Sequence, residues 1–181
     1  RLTEYSIAAG GELARTGDRV TLEMKAGVIP VEASGAVWTL QANPPKHRAP
    51  QASRVSFAAM LGLDAADIGT APLWVDTGSD QLVIPLASFD TVRRAAPRPD
   101  AMLAYATIGT RSMAYVFARE ENHVLARFFF LKHGSPVEDP GTGSACANLG
   151  GWLLATGAAL PQKLAIDQGE GRVAQRGRAL D

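Results

Sequence analysis

The chain has 181 residues, 46% hydrophobic and 20% charged, which is enough for one well-filled globular domain or one large lobe and excludes a disordered segment. Its 18 basic and 18 acidic residues cancel, and no basic run exceeds Arg93-Arg94, so neither nucleic acid nor an anionic membrane surface is an expected partner. No apolar run approaches the roughly 18 residues of a membrane span, no signal-like start is present, the single cysteine rules out an internal disulfide, and His47, His123 and His133 lie too far apart for metal spacing, so the chain reads as soluble, cytoplasmic and metal-free.

Arg1 is not an initiator methionine, and Leu2-Thr-Glu-Tyr-Ser-Ile-Ala8 runs straight into a strand-like pattern, so an internal start is expected. Val20, Leu22 and Met24 alternate with Thr21 and Glu23, predicting a half-buried strand after a Gly17-Asp18 turn. Val28 to Val31 and Trp38 to Ala42 read as strands joined at Ser34-Gly35. Asn43-Pro-Pro-Lys-His-Arg48 admits neither helix nor central strand and reads as a surface linker, with His47 an exposed loop histidine. Ser53 caps a helix carrying Val55, Ala58, Ala59 and Leu61 that stops at Gly62, and a further short turn starts at Asp64.

Leu73 to Val75 and Gln81 to Ile84 are predicted strands on either side of Asp76-Thr-Gly-Ser-Asp80, which is either a plain hairpin turn or a place where backbone approaches a ligand. Ser88 and Asp100 precede short helices, Phe89 to Ala95 and Ala101 to Tyr105, separated by Pro97-Arg-Pro99. Ser112 to Phe117 and Val124 to Leu131 form a strand pair across Arg119-Glu-Glu-Asn-His123. Arg127 and Phe128-Phe-Phe130 are core positions or the wall of a pocket, and His133-Gly134 is a loop.

The next stretch joins polar chemistry to a helix. From Ser144 to Thr156 only Asn148 and Thr156 are strongly polar after the cap, so the helix is expected to be buried on all sides. Gly141-Thr-Gly-Ser144 would present backbone N–H groups at its N-terminus, where the macrodipole favours a carboxylate or phosphate. The plainer alternative makes Ser144 an ordinary N-cap and gives Asp139 and Thr142 a tight turn. Cys146 stands where a dinucleotide fingerprint needs glycine, no Gly-Lys-Ser/Thr follows for a P-loop, and Ser144 lacks the flanking glycines of a nucleophile elbow. Cys146 reads as inert on the helix. Gly157 and Pro161 end the helix, and Lys163 to Asp167 forms another strand.

The run Glu138-Asp139-Pro140-x-Thr142-Gly143-Ser144-Ala145 resembles the signature of the PhzF-type isomerases, relatives of diaminopimelate epimerase. Trp74-Val-Asp-Thr-Gly-Ser-Asp-Gln-Leu-Val-Ile-Pro85, Arg127-Phe128-Phe129 and Asp167-Gln168-Gly169 match in order around it. The epimerase relatives place a catalytic cysteine directly before Gly-Thr-Gly, where this chain has Pro140, so a two-thiol racemase is unsupported. Family members follow Gln-Gly with Gly-Arg-Pro, whereas here Gly171-Arg172 and Gly177-Arg178 lack the proline.

The resemblance implies an α+β fold of the diaminopimelate epimerase type, a curved, mostly antiparallel β-sheet or barrel around a central buried helix, in two similar lobes with the active site between them. It covers only the second half to two-thirds of a family member. Residues 1–26 are accordingly expected to be remnant strands of an N-terminal lobe and 27–181 the C-terminal lobe, with the missing lobe as a partner. The family further implies cofactor-free proton transfer, a homodimer, and a glutamate acid/base in the first lobe. Matched residue by residue, Asp139 stands near the substrate in the catalytic position, and Gly143 and Ser144 bind its polar groups. The leading reading is an isomerase or epimerase lobe acting on a small carboxylate-bearing metabolite. The alternative is a non-catalytic lobe that binds a small anion or dimerises.

Overall fold

The computed structural model describes residues 19–24, 27–34, 37–40, 42–169 and 175–179. Residues 2–8, the Gly17-Asp18 turn, Gly35 and Gly171-Arg172, for which the sequence raised expectations, lie outside the described residues. The first alternating stretches pair as β1 (Arg19–Met24), β2 (Gly27–Ser34) and β3 (Val37–Leu40), an antiparallel sheet in that order with Leu22 opposite Ile29 and Val31 opposite Leu40. The division between residues 26 and 27 therefore falls between two strands that pair.

The expected surface linker is instead strand β4 (Lys46–Arg48), exposed along its length at the end of the main sheet and antiparallel to β5 (Leu73–Asp76). Proline keeps this segment out of a sheet interior but leaves an edge open to it, because an edge strand forms its ladder on one side only. Helix α1 (Arg54–Leu61) has the expected caps: the Ser53 side chain accepts from Ser56 N, and Gly62 closes the helix at φ 67°. Its buried face is Phe57, Ala58, Met60 and Leu61, while Val55 is 66% exposed, so the inward stripe differs from the one expected. A 3-10 turn at Ala65–Asp67 follows, starting after Asp64 as expected.

β5 turns back into β6 (Asp80–Pro85), and Ser88 caps α2 (Phe89–Arg94). Helix α3 (Pro99–Tyr105) starts two residues earlier than expected, with Pro99 in the first turn and Arg98, not Asp100, at the N-cap position. Proline there forgoes an N–H that would have no helical acceptor anyway. The two-residue β7 (Thr107–Ile108) leads into the long hairpin β8 (Arg111–Glu120) and β9 (His123–Lys132). A second hairpin, missed by the sequence reading, adds β10 (Ser135–Asp139) through His133-Gly134, both at positive φ. After α4 (Gly143–Ala155), β11 (Leu164–Gln168) and β12 (Gln175–Ala179) complete a nine-stranded sheet.

The sheet path runs β12-β11-β9-β8-β6-β5-β4, with β6 parallel to β8 and β11 parallel to β9. β10 extends one edge of β9 and β7 one edge of β8. The sheet is curved and unclosed. Its central strands are apolar without alternation because each face serves a different core. On β8, Ala114, Val116 and Ala118 join a cluster with Phe57, Met60, Val92 and Met102 from α1 to α3. Met113, Tyr115 and Phe117 point the other way, into a cluster with Ala145, Leu149 and Leu153 of α4. An α+β architecture with a curved sheet packed on a helix is thus what the chain adopts.

Two expectations about α4 are corrected. The helix is not buried on all sides: Ser144 is exposed and Leu154 is 49% exposed, since an unclosed sheet covers only part of the helix. The N-cap position belongs to Thr142, and Ser144 lies within the first turn. Gly151 explains how the covered side comes so close to the sheet. A Cβ there would stand 2.7 Å from Val75 Cγ1 and 2.8 Å from Pro45 Cβ, so only glycine fits.

Candidate functional site

Strand β10 ends at Asp139, and the chain must turn sharply to enter α4. The buried Asp139 carboxylate holds that turn: Oδ1 accepts from Gly141 N at 3.4 Å and Oδ2 from the Thr142 hydroxyl at 2.9 Å. Gln168, buried at the end of β11, donates from Nε2 to Asp139 O at 2.9 Å and to Thr142 Oγ1 at 3.1 Å. Gly169 follows with φ 93°, and a Cβ on it would meet Pro140 Cα at 3.0 Å. The sequence stretches Asp139-Pro140 and Gln168-Gly169 therefore form one clasp, which the chain separates by a helix.

A second network starts on the turn between β5 and β6. Thr77 donates from N at 3.0 Å and from Oγ1 at 2.7 Å to Asn148 Oδ1. Asn148 donates from Nδ2 to Ser79 O at 2.8 Å and to Gln81 Oε1 at 2.8 Å. Gln81 in turn donates from Nε2 to Ser144 Oγ at 2.9 Å. Asn148 is fully buried yet has four hydrogen bonds, which offset the cost of its desolvation.

These elements border a cleft of about 300 Å³. Its polar side is Ser79, Gln81, Thr142, Ser144, Arg111 and Ser112, and its apolar wall is Met113, Phe128, Phe130 and Leu131. Helix α4 starts at the same edge. The amides of Ala145 and Cys146 bond Thr142 O, whereas those of Gly143 and Ser144 meet no acceptor among the described residues. Exposed donors at a helix N-terminus, a serine hydroxyl and a guanidinium make an environment for a small anion beside an aromatic surface.

Of the three residues singled out from sequence, Gly143 and Ser144 sit at the mouth of α4, and Ser144 lines the cleft. Asp139 is 9% exposed and stands behind Thr142 in the turn rather than on the cleft wall. Phe128 and Phe130 serve both readings offered for the triple phenylalanine, as members of the inner core and as cleft wall. Arg127 points to the other side of β9, where it pairs with Glu138 at 2.8 Å.

The remaining candidates lie elsewhere. His47 is exposed on β4, His133 is exposed in the β9–β10 turn, and His123 bonds Asp167 at 2.7 Å on the sheet. Among the described residues no three His, Cys, Asp or Glu side chains converge to hold a metal ion. No helix among them is long and apolar enough to cross a membrane. Burial pushes the Cys146 thiol up to about 11, away from the ionised form that reacts.

A family model described as phenazine biosynthesis-like protein, PhzC-PhzF, matches residues 3–180. The chain belongs to the phenazine biosynthesis-like family. An uncharacterized isomerase of Pasteurella multocida is 39% identical over 114 residues, covering 63% of this chain and 38% of that relative. An uncharacterized isomerase of Bacillus subtilis is 23% identical over 176 residues, covering 92% and 60%. The chain thus spans less than two thirds of the length of either relative. The fold is shared with a PhzF-family phenazine biosynthesis protein of Bacillus anthracis, at TM-score 0.76 and 19% identity over 97% of this chain and 62% of the other. It is also shared with a predicted epimerase of Pseudomonas aeruginosa, at TM-score 0.62 and 22% identity over 86% and 57%.

The sequence reading of this family member missed Gln81, Asn148 and Gln168 as a set. Asn148 carried a signal, being the single strongly polar residue inside an apolar helix. A buried amide in such a place requires partners. Gln81 and Gln168 lie inside runs that matched the family, but as second residue of β6 and last residue of β11 nothing in their local pattern marked them as hydrogen-bond partners of Asn148 and of the Asp139 turn.

Proposed function

We propose that the chain forms the ligand-anchoring lobe of a PhzF-type isomerase or epimerase, which moves a proton on a small carboxylate-bearing metabolite without a cofactor. The observation that carries this reading is the convergence of Ser144 and Arg111 on one aromatic-walled cleft at the start of α4, where the amides of Gly143 and Ser144 meet no acceptor among the described residues. Proton abstraction beside a carbonyl or π-system needs fixed donors for the negative charge that develops. The two relatives named as isomerases support the reaction class. In this reading Ser144 and Gly143 hold the substrate's anionic group, and Asp139 tunes or shares the proton transfer through the turn that it organises.

Dihydro-hydroxyanthranilate, the substrate of the phenazine enzyme that this chain resembles, serves as a first probe, added to the full protein in deuterated water. Incorporation of solvent deuterium is the expected result, slowed by Asp139→Asn. Normal exchange in that variant removes Asp139 from the chemistry. The homodimer and the cytoplasmic setting belong to the same proposal, and sedimentation of a stable monomer at micromolar concentration counts against the dimer.

One observation favours the second reading, a lobe that binds a small anion without turnover: among the described residues, no carboxylate, imidazole or thiol lines the cleft. A general base must come within hydrogen-bond reach of the proton it takes. Calorimetric binding of benzoate together with absence of deuterium exchange is the outcome that selects this reading over the enzyme.

A further inference from the structure

The polarity of the Ser144 hydroxyl follows from backbone groups of the turn between β5 and β6. Thr77 N can only donate, so the Asn148 atom 3.0 Å from it is the amide oxygen. Ser79 O can only accept, so the Asn148 atom 2.8 Å from it is the amide nitrogen. The amide is therefore locked in one orientation by two unambiguous partners, with Asn148 fully buried. Its remaining N–H goes to Gln81, which must present oxygen at 2.8 Å. Gln81, itself 2% exposed, is then left with nitrogen facing Ser144 Oγ at 2.9 Å. Ser144 accepts that bond. Its single hydroxyl hydrogen meets no acceptor among the described residues and is available on the cleft side, where Ser144 is exposed.

We propose that Asn148 and Gln81 are positioning residues that fix Ser144 as a hydrogen-bond donor into the cleft, so that the site selects a ligand oxygen acceptor, a carboxylate, at that point. The inference rests on the anion-binding reading of the cleft given above. A freely rotating serine would serve donors and acceptors alike. A serine already accepting from Gln81 offers its proton outward before the ligand arrives, which spares the reorientation cost on binding. Thr77 completes the chain, because its two donations to Asn148 Oδ1 hold the amide against a flip.

The test is a double-mutant cycle read by benzoate titration of the folded protein. Gln81→Met removes the donor, and Ser144→Ala removes the hydroxyl. Each alone is expected to weaken benzoate about 3- to 10-fold, the net worth of one ordinary hydrogen bond. The double variant is expected to bind no more weakly than Ser144→Ala, because Gln81 acts through Ser144. Additive losses overturn the proposal, since a merely structural Gln81 would weaken both backgrounds equally. Gln81→Glu is the second variant, chosen because it keeps the shape and still accepts from Asn148. It turns the serine proton inward, so the loss at pH 8 should exceed that of Gln81→Met and should shrink toward pH 5.5 as the new carboxyl takes up a proton. A pH-independent loss also overturns the proposal.

A ligand-free measurement separates this inference from the reading beneath it. Nuclear Overhauser contacts from the Gln81 side-chain amide protons to the Ser144 Hβ protons are expected in the wild-type protein. Their absence, with the fold intact, overturns the relay whatever the cleft binds. Wild-type protein that shows those contacts but no benzoate response at the Gly143 and Ser144 amides overturns the anion reading and leaves the relay standing.

Discussion

Arg127 and Glu138 grip each other across the β9–β10 hairpin, with Nη2 to Oε2 at 2.8 Å and Nε to Oε1 at 3.1 Å. The third nitrogen of the same guanidinium, Nη1, donates to the carbonyls of Val92, Arg93 and Ala95 at 3.3, 3.0 and 2.8 Å. One side chain thus joins a strand pair to the C-terminal end of α2, where helix carbonyls lack partners. The face of Phe129 lies 4.7 Å from the guanidinium carbon. Arg127→Met should lower stability by about 2–4 kcal/mol, because Glu138 loses its guanidinium and α2 its cap. Arg127→Lys should recover less than half of that, having no planar fork. Urea unfolding midpoints of the three proteins check both statements.

Gly151 is the clearest steric prediction. Alanine is the better helix former by about 1 kcal/mol, yet the added Cβ would meet Val75 and Pro45 at 2.7 and 2.8 Å. Crowding in a packed core costs about 1–3 kcal/mol, so Gly151→Ala should be destabilising on balance. Thermal unfolding of Gly151→Ala beside wild type checks the sign.

Gln168 holds the signature turn from a distant strand, through its bonds to Asp139 O and Thr142 Oγ1. Gln168→Leu should cost about 1–3 kcal/mol, since the Asp139 carbonyl loses its side-chain donor in a buried place. Local opening should exceed the global loss. Hydrogen exchange at residues 141–145 is expected to accelerate more than exchange in β8, and uniform acceleration would contradict a local clasp.

The protein should lose stability in alkali. Desolvation pushes the Cys146 thiol up to about 11 from an ordinary 9.0, and raises the Tyr115 phenol well above its ordinary value of 10.0 for the same reason. Both groups hold their protons more tightly when folded. The stability they contribute is complete below pH 9 and falls as pH rises through about 11, as the unfolded chain ionises first. Denaturant midpoints at pH 8, 9, 10 and 11 should fall across that window, and Cys146→Ala should flatten part of the fall. Slow alkylation by iodoacetamide at pH 8 is expected from the same burial.

If the mouth of α4 holds an anion, Gly143→Val should weaken benzoate more than Ser144→Ala. Gly143 is not at positive φ, so its role is openness rather than backbone freedom. A β-branched side chain would crowd its N–H, which meets no acceptor among the described residues, whereas the serine change removes one hydroxyl and no cap. A helix terminus contributes about 0.3–1 kcal/mol to a nearby exposed anion and up to about 2 kcal/mol when partly buried. Affinities in both variants equal to that of the wild type, with circular dichroism unchanged, would return this stretch to a packing role.

Local physics made much of this protein legible from its sequence. Ser53 and Gly62 bracket α1 as their capping chemistry dictates, Ser88 opens α2, and the β8–β9 hairpin follows from two apolar runs around a polar turn. These features depend on neighbours within a few residues, so the linear order already contains their causes. Even the family was readable, because its signature residues cluster in short runs. Tertiary structure alone decided what those residues touch. Asn148 meets Thr77 across 71 positions and Gln81 across 67, and such hydrogen bonds leave no period in the chain. Strands β4, β7 and β10 are short or weakly patterned and exist because an existing edge offers unpaired backbone groups to each. The same holds for α4: its composition called for burial on every side, but an unclosed sheet leaves Ser144 in the open, since coverage depends on how far the strands curve and not on the apolarity of the helix.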